Sequence, residues 1–144
     1  MTRNKNRIYL ALYARTGPQS HIHHISLLVS PKKPDPNGNN TWRFHVMNIP
    51  NPAYVTMQEW QYQALLVLGR TTRLIALVLL GKTVKSGEEI GQILTAVDIV
   101  QDNPSWTCKE WVFSAIEVSQ LSHLIYANQP NCAIISASHY PEHR

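Results

Sequence analysis

The sequence predicts an α+β domain, in which a mainly antiparallel sheet of about five strands is followed by two helices. Two observations carry this prediction. The first half of the chain contains successive apolar runs that are rich in branched and aromatic residues and are separated by Pro, Gly and Asn. After residue 86 the apolar residues recur at helical spacing instead. The 144 residues are enough for one domain with a single core.

Breaks in the apolar pattern set the strand limits. Thr16-Gly17-Pro18 ends the first run, and a loop over 31–40, with three prolines and Asn37-Gly38, separates the second run from the third. We predict strands over 7–15, 21–30, 41–49, about 59–68 and 73–82. The fourth run also fits a helix, because Gln and Leu are good helix formers.

Two helices follow in the prediction. The first covers Glu88 to Val97, and the second begins at Cys108. Thr107 and Glu110 have the spacing of a capping box, in which the threonine caps the third helical N–H and the glutamate reaches back. Residues that form its apolar stripe are Trp111, Val112, Ala115 and Ile116. We divide the chain into a domain over 1–118 and an extension of uncertain structure over 119–144.

Composition narrows the classes of function. The formal charge of +4 is spread along the chain without a dense basic block, so we do not expect nucleic-acid binding. The longest apolar run, Leu74 to Leu80, is far below the roughly 20 residues that cross a bilayer. The two cysteines, Cys108 and Cys132, indicate free thiols rather than a disulfide scaffold, and therefore a cytoplasmic location.

Cys108 is the first candidate functional residue. A thiol at the start of a helix lies among unpaired N–H groups at the positive end of the helix dipole, and this environment stabilises a thiolate. Upstream, His24 and His45 lie in predicted strands. A cysteine brought together with histidines by the fold is the usual composition of a thiol catalytic site.

These residues also carry a family resemblance. The segment His24 to Val29, then His45, then Cys108 to Val112 resembles the circularly permuted papain-like thiol enzymes of the lecithin:retinol acyltransferase group, which have His-Trp-Ala-Ile-Tyr-Val, a second His and Asn-Cys-Glu-His-Phe-Val. The chain also resembles small fungal proteins with His-Trp-Ala-Leu-Leu-Val-Gly-Pro-Lys, Arg-Thr-Thr-Arg-Leu and Trp-Asn-Cys-x-x-Trp-Val. The matching residues here are His24 to Lys32, Arg70 to Leu74 and Trp106 to Val112, and this second likeness covers roughly residues 7–117.

The resemblance implies roles for the matched residues. Cys108 would be the nucleophile, His24 the general base and His45 the group that orients the base. Trp106, just before the nucleophile, would form a wall of the substrate pocket. The implied function is cysteine-dependent acyl transfer by an amidase, thioesterase or acyltransferase, on a small-molecule or acyl substrate and without a cofactor. Ile25 and Thr107 replace the family's Trp and Asn, so lipid specificity does not carry over.

Other interpretations stay open. The same site could catalyse an acid/base cyclisation or isomerisation in fungal specialised metabolism. His21 and His23 point the same way on a strand and, with His45, could bind a metal ion. The domain could also be a binding module without catalysis, in which Cys108 is a small buried apolar residue. Arg70 and Arg73 could recognise a carboxylate or phosphate, or could be solvated surface charges.

Overall fold

The structure is a computed structural model that describes residues 5–15, 23–51, 53–54, 57–69 and 71–121. It contains a five-stranded antiparallel sheet and two helices, which confirms the predicted α+β class. The strands are β1 (Asn6–Tyr13), β2 (His24–Ser30), β3 (Thr41–Pro50), β4 (Gln58–Val67) and β5 (Leu74–Thr83), and the helices are α1 (Gly87–Leu94) and α2 (Cys108–Leu121).

The strand order is β4-β3-β2-β1-β5. The first four strands therefore pair with their sequence neighbours, while β5 crosses over to pair with β1 and leaves β4 at the opposite edge. The β1–β5 register shifts between Leu12 and Tyr13, and beyond that irregularity Ala14 N–H donates to the carbonyl of Arg73 at 2.8 Å. This contact fixes Ala14, which lies between the end of β1 and Arg15.

The two faces of the sheet differ. Alternating residues of β2 and β3, including Ile25, Leu27 and Phe44, form one apolar cluster with Cys108 and Trp111 of α2. We call this the helix face. The other face carries a smaller cluster of Ala11, Tyr13 and Leu28, packed with Tyr9, Leu74 and Leu77. We call it the second face.

Helix α1 packs closely because it contains glycines where it meets aromatic rings. Ser86 caps the helix in a complete capping box with Glu89. Trp42 and Phe44 stack on the helix face with centroids 6.1 Å apart. A side chain at Gly87 would overlap the Trp42 indole, and a Cβ at Gly91 would lie 2.9 Å from Phe44 Cε1. The absence of side chains at these two positions therefore lets the helix approach the sheet.

Element limits differ from the prediction by a few residues. Strand β1 ends at Tyr13 rather than Arg15, and α1 ends at Leu94 rather than Val97. The fourth run is a strand, so its helical alternative was wrong. Within the described residues, no helix has the length and apolar content needed to cross a membrane. Residues 122–144, with Cys132, and also His21 and Arg70, lie outside the described residues.

We expect Gly87→Ala to destabilise the domain. Replacing a helical glycine by alanine normally favours the helix by up to about 1 kcal/mol. Here the added methyl meets a rigid indole, and overpacking of this kind costs about 1–3 kcal/mol. Urea unfolding should therefore show a net loss of stability. Glu88→Ala, at the exposed neighbouring position, is the control, and a stabilised Gly87→Ala variant would contradict the packing described.

Candidate active site

Helix α2 begins at Cys108, as predicted, and its start is held by Thr107 and Glu110. A Glu110 carboxylate oxygen accepts from Thr107 N–H at 2.8 Å and from the Thr107 hydroxyl at 2.6 Å. The second of these bonds contributes most to lowering the pKa of Glu110. The predicted capping box needs one correction, because Thr107 Oγ1 accepts from Lys109 N–H at 3.3 Å and not from the third helical N–H. Both positions are normal for a capping threonine.

Cys108 is a free, buried cysteine with 4% of its surface exposed. It belongs to the apolar cluster on the helix face. Its backbone N–H makes no hydrogen bond within the described part of the chain, as the helix geometry predicts for the first turn. A donor that can hold a developing oxyanion therefore lies beside the sulfur.

Two histidines and a glutamine form a hydrogen-bonded row on the second face. His24 Nε2 lies 2.8 Å from His45 Nδ1, and His45 Nε2 lies 3.1 Å from Gln63 Oε1. His45 and Gln63 are direct cross-strand partners in the β3–β4 register. His24 is the first residue of β2, opposite Tyr13 at the end of β1. His45 is buried, with 2% of its surface exposed.

Arg15 connects this row to the cysteine. One guanidinium nitrogen, Nη2, lies 3.2 Å from His24 Nδ1 and 3.8 Å from Cys108 Sγ. Arg15 lies two residues after the end of β1, so the β1–β2 pairing brings it beside the first residues of β2. The sequence prediction ended a strand at this residue and gave it no role at the site.

The donors in the row can be assigned from Arg15. A guanidinium only donates, so His24 Nδ1 must accept through its lone pair. In a neutral ring the proton is then on His24 Nε2, which donates to His45 Nδ1. The proton of His45 is on Nε2 and is donated to Gln63 Oε1. Both histidines therefore have the Nε2–H tautomer, and the basic nitrogen of His24 is directed towards Arg15.

The side chains of Cys108 and His24 lie on different faces of the sheet. Alternation from Tyr13 and Leu28 places His24 on the second face, whereas Cys108 belongs to the helix side. Among the described residues the two side chains share no hydrogen bond, and their connection runs through Arg15. The structure thus places the predicted nucleophile, base and orienting group together, but does not join the first two directly.

All four predicted site residues line one open cleft of about 1270 Å³. Trp106 forms part of its wall and meets Trp60 edge-on, with centroids 5.7 Å apart. The loop before Trp106 is attached to the edge of the sheet by Gln101, whose side-chain amide bonds both the N–H and the carbonyl of Trp60 at 2.9 Å. These two hydrogen bonds satisfy backbone groups of the edge strand β4 that a further strand would otherwise pair. They also fix the position of the loop that leads to Cys108.

Both imidazoles of the row are held neutral. Burial is the main cause, the adjacent His45 ring disfavours protonation of both rings together, and the positive charges of Arg15 and Arg43 add to this, lowering the pKa of His24 to about 3. For His45, burial and the charge of Arg43 outweigh the opposing effect of the hydrogen bond that its Nε2–H donates to Gln63, and its pKa falls to about 4. Near pH 7 His24 Nδ1 is therefore unprotonated, and its lone pair accepts from Arg15.

The alternative metal site is not assembled by the described residues. His45 has both ring nitrogens in hydrogen bonds to His24 and Gln63, so neither is available to a metal ion. His23 precedes β2 by one residue and alternates with His24, and His21 is outside the described residues. No group of three potential ligands occurs in the described part of the chain.

Sequence reasoning missed Arg15, Gln63 and Gln101. A signal existed for Arg15, since consecutive strands pair and the end of the first would adjoin the start of the second. Gln63 and Gln101 have no motif, because their roles depend on the β3–β4 register and on a contact between residues 41 positions apart.

The neutral imidazoles predict a stability loss on acidification. The unfolded chain binds protons at histidine near pH 6.5, while the folded rings stay neutral to about pH 4, so unfolding takes up protons between these values. The free energy of unfolding should fall as pH decreases, by up to about 1.4 kcal/mol per pH unit for each ring. Urea unfolding between about pH 5 and 7 measures the slope, where few carboxylates titrate.

His45→Gln should reduce the slope of the free energy of unfolding with pH by the contribution of one histidine, because glutamine does not titrate. The comparison is made between slopes and not between absolute stabilities, so a uniform loss of stability in the variant does not affect it. An unchanged slope would mean that His45 binds equal numbers of protons in the folded and unfolded states, which would contradict its lowered pKa.

The chain matches a protein family over most of its length. Residues 5–135 match DUF6914, described as a family of unknown function, and the match extends beyond residue 118, where the sequence suggested a domain limit. No curated protein and no solved structure gives a significant match. Since the matched region covers most of the chain, the protein belongs to the DUF6914 family.

Proposed function

We propose that the domain is a cysteine-dependent acyl-transfer enzyme with a permuted papain-like arrangement, in which Cys108 is the nucleophile and His24 the general base. The observation that carries this proposal is the oriented row from Gln63 through His45 to His24. It presents an unprotonated Nδ1 to the guanidinium that contacts the sulfur at the start of α2. The motif resemblance supports the same roles.

The chemistry follows from these groups. His24 Nδ1 takes the thiol proton, and the sulfur attacks the carbonyl carbon to form a C–S bond. The oxyanion is held by the Cys108 N–H. The leaving group departs with the proton from His24, and an acyl-enzyme remains. Water, an amine or an alcohol then attacks the thioester, gives its proton to His24 and releases Cys108 as thiol.

His45 and Gln63 are positioning residues in this scheme. They hold the His24 ring with its proton on Nε2, so the lone pair stays on Nδ1, the nitrogen that contacts Arg15. When His24 becomes imidazolium, its Nε2–H continues to donate to His45, as the third member of a catalytic triad supports its histidine. Loss of either residue would leave a buried ring nitrogen without its partner.

Arg15 must move for the proton transfer to occur. Its Nη2 occupies the lone pair of His24 Nδ1, and the thiol needs that same lone pair. The arginine lies after the end of β1 rather than inside it, so a side-chain rotation can free the ring without breaking the strand. The proton transfer therefore follows the displacement of Arg15.

A cytoplasmic location, which suits the free thiol of Cys108, stays a prediction.

A second candidate is favoured by the missing direct bond between Cys108 and His24. An acid/base cyclase or isomerase needs the lone pair of His24 in the cleft but no covalent sulfur intermediate. Arg15 would then stabilise negative charge on the substrate. The two functions differ in whether Cys108 is required, so one set of variants separates them.

Cys108→Ala should abolish formation of an acyl-enzyme. The experiment incubates the protein with activated esters and thioesters and measures the adduct by intact mass spectrometry and peptide mapping. We expect one acyl group on Cys108 in the parent and none in the variant. Cys132→Ser is the matched control and should keep the adduct. Cys108→Ala should cost only about 1 kcal/mol of stability, which separates chemistry from folding.

His24→Ala should slow acylation of Cys108 by about two to four orders of magnitude, the usual contribution of a general base. The rate is the appearance of the mass adduct with the best reagent of the panel. An effect below about tenfold would remove His24 as the base. Turnover that persists in Cys108→Ala but is lost in His24→Ala would instead support the acid/base alternative.

A further inference from the structure

The cleft around Cys108 is strongly cationic. Among its described lining residues, Arg15, Arg43, Arg73 and Lys109 are positively charged, and Asp102 is the single carboxylate. The histidines of the row are neutral and do not change this balance. A cleft lined by one sign of charge concentrates ligands of the opposite sign.

Arg43 supplies an independent sign of a ligand. Its Nε is buried and has no hydrogen-bond partner within the described structure. The guanidinium lies over the ring of Tyr13, 5.7 Å from its centroid, and the Tyr13 ring is itself 6.2 Å from that of His24. A buried guanidinium donor without an acceptor is costly, and an oxyanion in the cleft would satisfy it.

Arg15 places such an anion next to the reacting atoms. Its Nη2 is 3.8 Å from the sulfur. One small substrate molecule can therefore place an oxyanion on Arg15 and a carbonyl carbon next to Cys108. Arg15 and Arg43 both act electrostatically on His24, which places their charges around the same ring. Guanidinium groups bind carboxylate and phosphate in bidentate fashion, a geometry that lysine does not offer.

We propose that the acyl substrate of this site carries an anionic oxygen group, a carboxylate or a phosphate, which binds Arg15 and Arg43 close to the carbonyl that Cys108 attacks. This inference rests on the proposed function and assigns its substrate class. Binding of the anion also gives Arg15 an acceptor other than His24 Nδ1, which leaves that nitrogen to the thiol.

The test compares two alkylating reagents of nearly equal size, iodoacetate and iodoacetamide. In both reactions the thiolate forms a C–S bond and iodide leaves, but only iodoacetate carries a carboxylate. The protein contains Cys132→Ser, and the rate at Cys108 is followed by mass spectrometry. The ratio of the two rate constants, divided by the same ratio for glutathione, reports recognition of the negative charge.

We expect a normalised ratio well above one in the parent protein. Arg15→Gln should lower it by about tenfold, and Arg43→Gln should lower it as well, because each removes a cation from the cleft. Lys33→Gln removes the same charge from the exposed loop between β2 and β3 and should leave the ratio unchanged. Use of a ratio removes any effect of these variants on the general reactivity of the thiol.

A normalised ratio near one in the parent would overturn the inference, and so would an equal fall in Lys33→Gln. If iodoacetamide still modifies Cys108 rapidly in that case, the proposed function stands without its anionic substrate. Titration with acetate and with inorganic phosphate at constant ionic strength, followed by the NMR signals of the His24 ring, tests the anion site even when the thiol is inert. The anion that shifts these signals in the parent, but not in Arg15→Gln, identifies the group, and no shift with either anion would contradict the inference.

Discussion

Arg15 is the constraint on which the arrangement of the site depends, because a guanidinium cannot accept a hydrogen bond. From this single fact the proton on each ring of the row follows in turn, and the amide oxygen of Gln63 must face His45. The opposite direction would set a His24 N–H against an Arg15 N–H. A residue just beyond the end of β1 thus fixes the tautomers of two histidines and the orientation of a glutamine, which lie on three other strands.

The neutral state of the histidines follows from where the sheet places them. His45 is almost fully buried, and two guanidinium groups act on His24. A unit charge about 4 Å away contributes about 4 kcal/mol at the effective dielectric of a protein surface, so an imidazolium beside Arg15 is strongly disfavoured. The buried rings keep their hydrogen bonds while neutral, and a satisfied polar network of this kind costs little stability. The fold therefore disfavours protonation of either ring.

Much of the fold could be predicted from the sequence because it depends on local patterns. Alternation, proline breaks and capping residues gave all five strands and both helices to within a few residues, including the first residue of α2 at Cys108. Of the site, the three matched residues and Trp106 do line one cleft. Arg15, Gln63 and Gln101 were not predictable in this way, since their roles arise from pairing register and from a loop that attaches to the edge of β4. Alternation along a strand places His24 and Ile25 on opposite faces, but only the packing of α2 on the Ile25 face shows that His24 lies on the other side from Cys108.

Because His24 and Cys108 are separated, the positive charges of the cleft can control the reaction between them. A neutral His24 whose pKa is lowered to about 3 is a weak base, and the charges of Arg15 and Arg43 are two of the causes. An anion bound to both would offset these charges, while burial and His45 would continue to act. The basicity of His24 would then rise only when a ligand occupies the cleft. At the same time Arg15 would gain an acceptor stronger than a neutral imidazole. Substrate binding and activation of the base would thus be coupled through the same two side chains, so part of the binding energy would be expressed in the reaction itself.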